Sequence, residues 1–164
     1  MRRVLRPSPA ELDRVFLLGF HAWGEGKTRE EFLDECRASS KYAKGQWFVL
    51  ADADGTFLSK LIVYPLEKTG VPRSLGLASI ATPPEFQNCG YASELISEVL
   101  RSLSAEGTEH FLLFSDIAPA YYERFGFQVL TARFQTRAES VCMVRTPAFP
   151  RWSEDDAVVP PSYF

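Results

Sequence analysis

Residues 80–95 read Ile-Ala-Thr-Pro-Pro-Glu-Phe-Gln-Asn-Cys-Gly-Tyr-Ala-Ser-Glu-Leu, a strand end, a turn and a helix start in succession. The alternating apolar run stops at Thr82. Pro83 and Pro84 follow, and neither can donate a ladder hydrogen bond, so strand pairing ends there. After the polar turn Gln87-Asn88-Cys89-Gly90, apolar residues recur three and four apart: Tyr91, Ala92, Leu95, Ile96, Val99, Leu100 and Leu103. That spacing predicts an amphipathic helix over 91–105. The first turn of such a helix leaves N–H groups without intrahelical partners, and its aligned peptide dipoles favour negative charge. A glycine just before it lets backbone approach a ligand that any Cβ would push away. The stretch is therefore an anion site.

Two familiar phosphate loops do not fit. A Walker loop needs Lys and then Ser or Thr after its last glycine, whereas Tyr91-Ala92 follows Gly90; a dinucleotide loop needs three glycines and this one has a single glycine. The pattern Gln87-x-x-Gly90-x-Ala92 instead resembles the Q/R-x-x-G-x-G/A loop of the GNAT superfamily of acetyl-CoA-dependent N-acetyltransferases. The preceding Thr82-Pro83-Pro84-Glu85-Phe86 resembles the family's lead-in. Farther on, Tyr121-Tyr122-Glu123-Arg124-Phe125-Gly126-Phe127 resembles its Y-E-x-x-G-F closing motif. Together these cover residues 73–130. Ser115 replaces an asparagine common before the tyrosine, and with that variant the set is similar to a branch that includes fungal lysine acetyltransferases.

The resemblance implies an enzyme, an acyltransferase that uses acetyl-CoA as co-substrate and needs no metal. Main chain at Ile80, Ala81 and Thr82 would hold the pantetheine arm. The turn and helix start, from Gln87, Asn88, Cys89 and Gly90 through Tyr91, Ala92 and Ser93, would hold the pyrophosphate. Many family loops carry Arg or Lys there, whereas this one is uncharged, so backbone dipoles carry the task. Tyr122 would protonate the departing thiolate, because a phenol is a neutral donor at pH 7. Asp116 is either a base or amine anchor, or the N-cap of the next helix. The acceptor is expected to be a primary amine of a small molecule or a peptide. His21 and Trp23 are candidates for its pocket, with a capping histidine and a half-buried tryptophan as the alternative. Glu25 and Glu31 are either a solvated helix face or an acidic wall that draws a cationic amine. The contrasting possibility is a non-catalytic sensor module that binds acyl-CoA on the same fold.

Composition bounds the rest. The chain has 164 residues, net charge −3, 46% hydrophobic and 24% charged residues, which suits one soluble domain with a core and no broad basic face for nucleic acid. Three scattered cysteines give neither a disulfide framework nor a clustered metal site. Arg2-Arg3 precedes no long apolar segment, so no export signal or membrane span is expected, and the chain reads as cytoplasmic, a monomer or homodimer.

In order, the pattern predicts a strand over 3–6 and a helix opened by the box Ser8-Pro9-Ala10-Glu11. A second helix follows from the box Thr28-Arg29-Glu30-Glu31. Strands are expected over 47–51 and 56–64, joined at Asp54-Gly55, and over 74–82. After the 91–105 helix come a strand over 111–114, a helix over 118–125 and an antiparallel pair over 127–136 and 141–145. The order β-α-α-β-β-β-α-β-α-β-β implies an α/β fold: a mixed, mostly antiparallel twisted sheet with a central V-shaped splay, flanked by about four helices. Residues 1–146 form the expected domain. Residues 147–164, with four prolines and an acidic run, form a tail that is either draped or disordered.

Overall fold

Apolar runs stopped by turn formers become seven strands: β1 Arg3–Leu5, β2 Gln46–Ala51, β3 Phe57–Pro65, β4 Ser74–Ala81, β5 His110–Ser115, β6 Gln128–Val129 and β7 Val141–Arg145. Among the described residues they are accompanied by the helices α1 Leu12–Leu17, α2 Phe20–Trp23, α3 Arg29–Ala38, α4 Tyr91–Ala105 and α5 Ala120–Glu123. This is a computed structural model, and it describes residues 1–148, 152 and 157–164. The strands form one open sheet in the order β1-β2-β3-β4-β5-β7-β6. β4 and β5 pair in parallel, whereas β1–β2, β2–β3, β5–β7 and β6–β7 pair antiparallel, so the α/β class and the mostly antiparallel sheet stand as expected. The described chain clusters into two compact units.

The first unit holds residues 1–63 and 79–101. Ser8 opens a short 3-10 turn before α1, and its N–H and hydroxyl donate to the Glu11 carboxylate at 2.9 and 2.8 Å. The second box closes the start of α3: Glu31 accepts from the Thr28 N–H at 2.7 Å, and Thr28 Oγ1 accepts from the Glu31 N–H at 3.2 Å. Phe32, Leu33 and Cys36 then face the core, as their spacing requires. In the β2–β3 hairpin, Asp52 Oδ1 accepts from the Asp54 and Thr56 N–H groups, and Gly55 supplies the positive φ of 81°. All of β3 from Phe57 to Tyr64 is buried, including the charged Lys60.

The second unit holds residues 64–78 and 102–164. The parallel ladder runs from Ser74↔His110 to Leu77↔Leu113, whereas the antiparallel ladder of β5 with β7 continues to Ser115↔Val141. Ser79, two residues past the last parallel pair, has φ of 49°, so the continuation of β4 carries a left-handed residue. Two expected elements are shorter. The 118–125 helix contracts to α5, because Tyr121, Tyr122, Phe125 and Gly126 each donate to a carbonyl three residues back, the tight 3-10 spacing. The 127–136 strand contracts to β6. Beyond it the side chain of Gln135 replaces ladder bonds, donating to the Leu130 and Cys142 carbonyls while its Oε1 accepts from the Cys142 N–H at 2.8 Å.

Parts of the 147–164 stretch are core. Trp152 and Val158 are buried in one cluster with Leu112, Leu130, Phe134, Cys142 and Val144. Phe164 stacks edge-on to Tyr64 and Phe114 and covers Gly76, where a Cβ would lie 2.3 Å from its ring. The acidic run 154–156 lies outside the described residues.

Candidate active site

The predicted anion loop is an exposed, backbone-made turn held by a few side-chain bonds. Pro84–Phe86 forms a 3-10 turn, and the Phe86 and Tyr91 rings meet edge-on at 6.3 Å, bracing the two ends of the loop. Gln87 Nε2 donates to the Thr82 carbonyl at 3.0 Å, so the loop folds back on the strand end. Thr82 Oγ1 lies 3.0 Å from Ser59 Oγ, and Ser59 also donates to the Ala81 carbonyl. These bonds fix Ala81 and Thr82 from the β3 side. Asn88 and Gly90 both adopt left-handed conformations, with φ of 61° and 78°. At Gly90 a Cβ would meet nothing within 4 Å. Glycine is therefore required there by backbone conformation, and the space above it is open to a ligand.

α4 begins directly after this turn, with the Glu94 N–H donating to the Gly90 carbonyl as the first helical bond. The N–H groups of Tyr91, Ala92 and Ser93 precede that bond, where an α-helix offers donors to a ligand. The acid of this first turn does not fold back over it: Glu94 pairs with Arg2 at 2.8 Å, and Arg2 also lies over the Tyr91 ring. Ile80, Ala81, Thr82, Gln87, Asn88, Cys89, Gly90, Tyr91, Ala92 and Ser93 are thus contiguous in the first unit. Cys89 is exposed, and its thiol donates to the Gln87 carbonyl at 3.4 Å.

The four residues proposed for the acceptor lie in the same unit. His21 and Glu25 are exposed, and the Glu31 carboxylate is engaged by the box that caps α3, whose N–H bond holds it below the usual carboxylate range. Trp23 is 44% exposed, and its other side lies over the Lys60 ammonium at 5.3 Å.

Sequence reading passed over Lys60. Its Nζ has no hydrogen-bond partner among the described residues and lies 4.7 Å from the Trp47 ring centroid. Burial pushes its pKa down to about 8, opposed by the nearby Cys36 thiol. The missed signal was a lone lysine inside an apolar run, Phe57-Leu58-Ser59-Lys60-Leu61-Ile62, too long to have a solvent face.

In the second unit, Tyr122 is 9% exposed on α5, edge-on to Tyr121 and Phe127. Burial raises its pKa well above the ordinary phenol, reinforced by Tyr121 and Asp116, so its hydroxyl stays protonated at any working pH. Tyr121 lies under the Arg124 guanidinium and is less buried. Asp116 does not cap α5, whose N-cap is Pro119; its carboxylate accepts from the Ser140 hydroxyl. Among the described residues there is no group of His, Cys, Asp and Glu that could hold a metal ion, and no helix is long and apolar enough to cross a membrane.

Comparison with known proteins adds a family to this geometry. The profile of the acetyltransferase (GNAT) domain matches residues 4–130. No curated protein matches the sequence. Among solved structures, a GNAT family acetyltransferase from Brucella melitensis in complex with acetyl-CoA is 25% identical, with 92% of each chain covered and a TM-score of 0.60. A GNAT family N-acetyltransferase from Escherichia coli in complex with CoA is 22% identical, covering 88% of this chain and 80% of that one, with a TM-score of 0.67. The ribosomal-protein-S18-alanine N-acetyltransferase of Escherichia coli is 17% identical over 88% of this chain and 91% of its own, with a TM-score of 0.62.

Proposed function

The chain belongs to the GNAT acetyltransferase family, and we propose that it transfers an acetyl group from acetyl-CoA to a primary amine. The observation that carries this reading is the turn before α4, left-handed at Asn88 and Gly90 and open above Gly90. The Brucella protein, similar over nearly all of this chain, binds acetyl-CoA, which supports the choice of donor. Bound there, acetyl-CoA would supply an activated acyl thioester.

The protein's own part is positioning and proton management. The amides of Gly90, Tyr91, Ala92 and Ser93 would bind the pyrophosphate with partial positive charge and no formal cation. Gln87, by tying the turn to Thr82, keeps those amides in place relative to the strand end. Main-chain groups at Ile80, Ala81 and Thr82 would pair with the amides of the pantetheine arm, as a strand edge pairs with a peptide. A C–N bond forms as the C–S bond breaks, so the amine must lose a proton and the sulfur must gain one or be hydrogen-bonded. Tyr122 is the proposed donor to sulfur, because its raised pKa keeps it a neutral acid. Asp116 is proposed to assist proton removal or to anchor the amine, with the Ser140 hydroxyl fixing its orientation. The acceptor is a small amine or a peptide amine.

The test has two parts. Calorimetry should show binding of acetyl-CoA, and a CoA-thiol release screen across amino acids, polyamines, aminoglycosides and peptides should show acceptor-dependent turnover. Binding without release from any acceptor would favour the sensor reading, and absence of binding would overturn both.

A further inference from the structure

β3 carries a charge where its neighbours predict none. Lys60 is 0% exposed, and its Nζ lies between the indole faces of Trp47 at 4.7 Å and Trp23 at 5.3 Å. No hydrogen bond reaches it among the described residues, and no carboxylate acts on it; the titratable neighbour it feels is Cys36. Burying an ammonium without a counter-charge is costly, and two cation–π contacts offset only part of that cost. A methionine at this position would fill the same volume without that cost. The lysine is thus a poor choice for stability alone.

The wall over it is built to fit closely. At Gly19 a Cβ would lie 2.6 Å from the Trp23 ring and 2.9 Å from Lys60 Nζ, so the chain passes against both groups only because residue 19 has no side chain. The four-residue α2 runs from there to Gly24, itself closed against the Phe20 ring. Trp23, at the end of α2, has its outer face in solvent while its inner side covers the ammonium. Of the two rings over Lys60, Trp23 is the one in contact with solvent, since Trp47 is 4% exposed.

We infer that Lys60 is the anchor for an anionic group of the acceptor, so that the acceptor is an amine that also bears a carboxylate, such as a free amino acid, entering beneath Trp23. A single ammonium in an apolar surround suits a monoanion; a phosphate dianion would need more donors than the described residues supply there. The indole faces provide apolar walls for the carbon skeleton. This assignment rests on the acetyltransferase reading for its chemistry, but the binding site itself does not.

The experiment pairs free amino acids with their primary amides, which keep the amine and lose the negative charge. In the CoA-release assay the wild-type protein should prefer the best amino acid over its amide by at least about tenfold in kcat/KM, since a charge-assisted bond is worth ~1.5–3 kcal/mol and 1.4 kcal/mol is a factor of ten. Lys60→Met should fold, melt at an equal or higher temperature, bind acetyl-CoA as before and lose that preference to within about twofold. A second readout needs no turnover: the amino acid should change tryptophan emission of the wild-type protein but not of Lys60→Met. Absence of acetyl-CoA binding together with a Lys60-dependent emission change would sink the acetyltransferase reading and leave the anion site standing. An unchanged preference in Lys60→Met, or a wild-type protein that neither binds nor discriminates the free amino acids, would overturn the inference.

Discussion

Two helix starts in the same unit are finished in opposite ways. At the start of α3 the protein supplies its own acceptors: the Thr28 N–H donates to the Glu31 carboxylate and the Glu31 N–H donates to Thr28 Oγ1. At the start of α4 a left-handed glycine replaces the N-cap hydroxyl, and the acid of the first turn is drawn away to Arg2. A helix N-terminus always carries donors and partial positive charge. What separates scaffold from site is whether the chain spends its own oxygens there. The same contrast explains why Glu31, though acidic and near the region assigned to the acceptor, is occupied with local structure.

Four outcomes would sharpen or break this contrast. The largest is expected away from both helix starts: Tyr122→Phe keeps ring packing and removes one oxygen, so kcat should fall by roughly 10²- to 10⁴-fold. Acetyl-CoA affinity, measured by calorimetry, should stay within a few-fold, because the proposed cofactor contacts lie at the α4 start and the proposed proton transfer does not. Normal turnover in this variant with a crippled Tyr121→Phe would move the role to the neighbour.

Next is Gly90→Val. A β-branched residue at φ of 78° is strained, and a Cβ would stand in the open space above the turn. Losing one or two amide contacts to a charged group should weaken acetyl-CoA binding by roughly 10- to 10³-fold. The melting temperature should drop only by what about 1–2 kcal/mol of left-handed strain produces. Equal binding in the two proteins would remove the loop from the site.

Thr28→Ala should show the reverse pattern, a loss of about 1 kcal/mol of stability by chemical denaturation with acetyl-CoA affinity unchanged. The box also predicts a pH dependence. Hydrogen bonding holds Glu31 below its ordinary carboxylate pKa, so the folded state releases its proton more readily than the unfolded one. Its contribution is complete above the ordinary glutamate range and fades as pH falls through the lowered value. The stability gap between wild type and Glu31→Gln should therefore close in acid, and a gap that widened would contradict the assignment.

The smallest effect concerns Arg2. Arg2→Met releases Glu94, whose negative charge would then sit beside the first turn of α4 and oppose a phosphate. Both side chains are about two-fifths exposed, and solvent screens the pair. Acetyl-CoA binding should weaken by about two- to fivefold, more at low salt than at high. An unchanged affinity would show that Arg2 does not keep this helix start open.

The elements that could be read in advance are those whose residues act locally. The two capping boxes, the Asp54-Gly55 hairpin and the strand-proline-glycine-helix passage each carry their own instructions within a few residues, and α4 spans the 91–105 predicted from its spacing. What could not be read depends on distant partners. Nothing in the sequence near Ser79 announces a positive φ. The 127–136 stretch reads as a strand, yet the Gln135 amide supplies the bonds a longer β6 would have made, a substitution visible only once Cys142 lies opposite. Lys60 was passed over because strand patterning assigns a face to each residue, and β3 is buried on both. The family motifs point to the loop and the tyrosine but carry no information on the proposed acceptor anchor, where side chains from α2, β2 and β3 meet.

The ring of Phe164 over Gly76 bears on how the protein is made. Synthesis runs from the N-terminus, and folding proceeds as segments emerge. The ribosome completes β4 long before residue 164, so the face that Trp152, Val158 and Phe164 finally cover stays open while the intervening chain is still emerging. Leu112, Cys142 and Val144, members of that cluster, would meanwhile be offered to chaperones or to neighbouring nascent chains. The second unit thus cannot close its core until Trp152, Val158 and Phe164 have emerged, and a ribosome stalled before residue 157 would leave behind a chain with its proposed cofactor loop already encoded and its core unfinished.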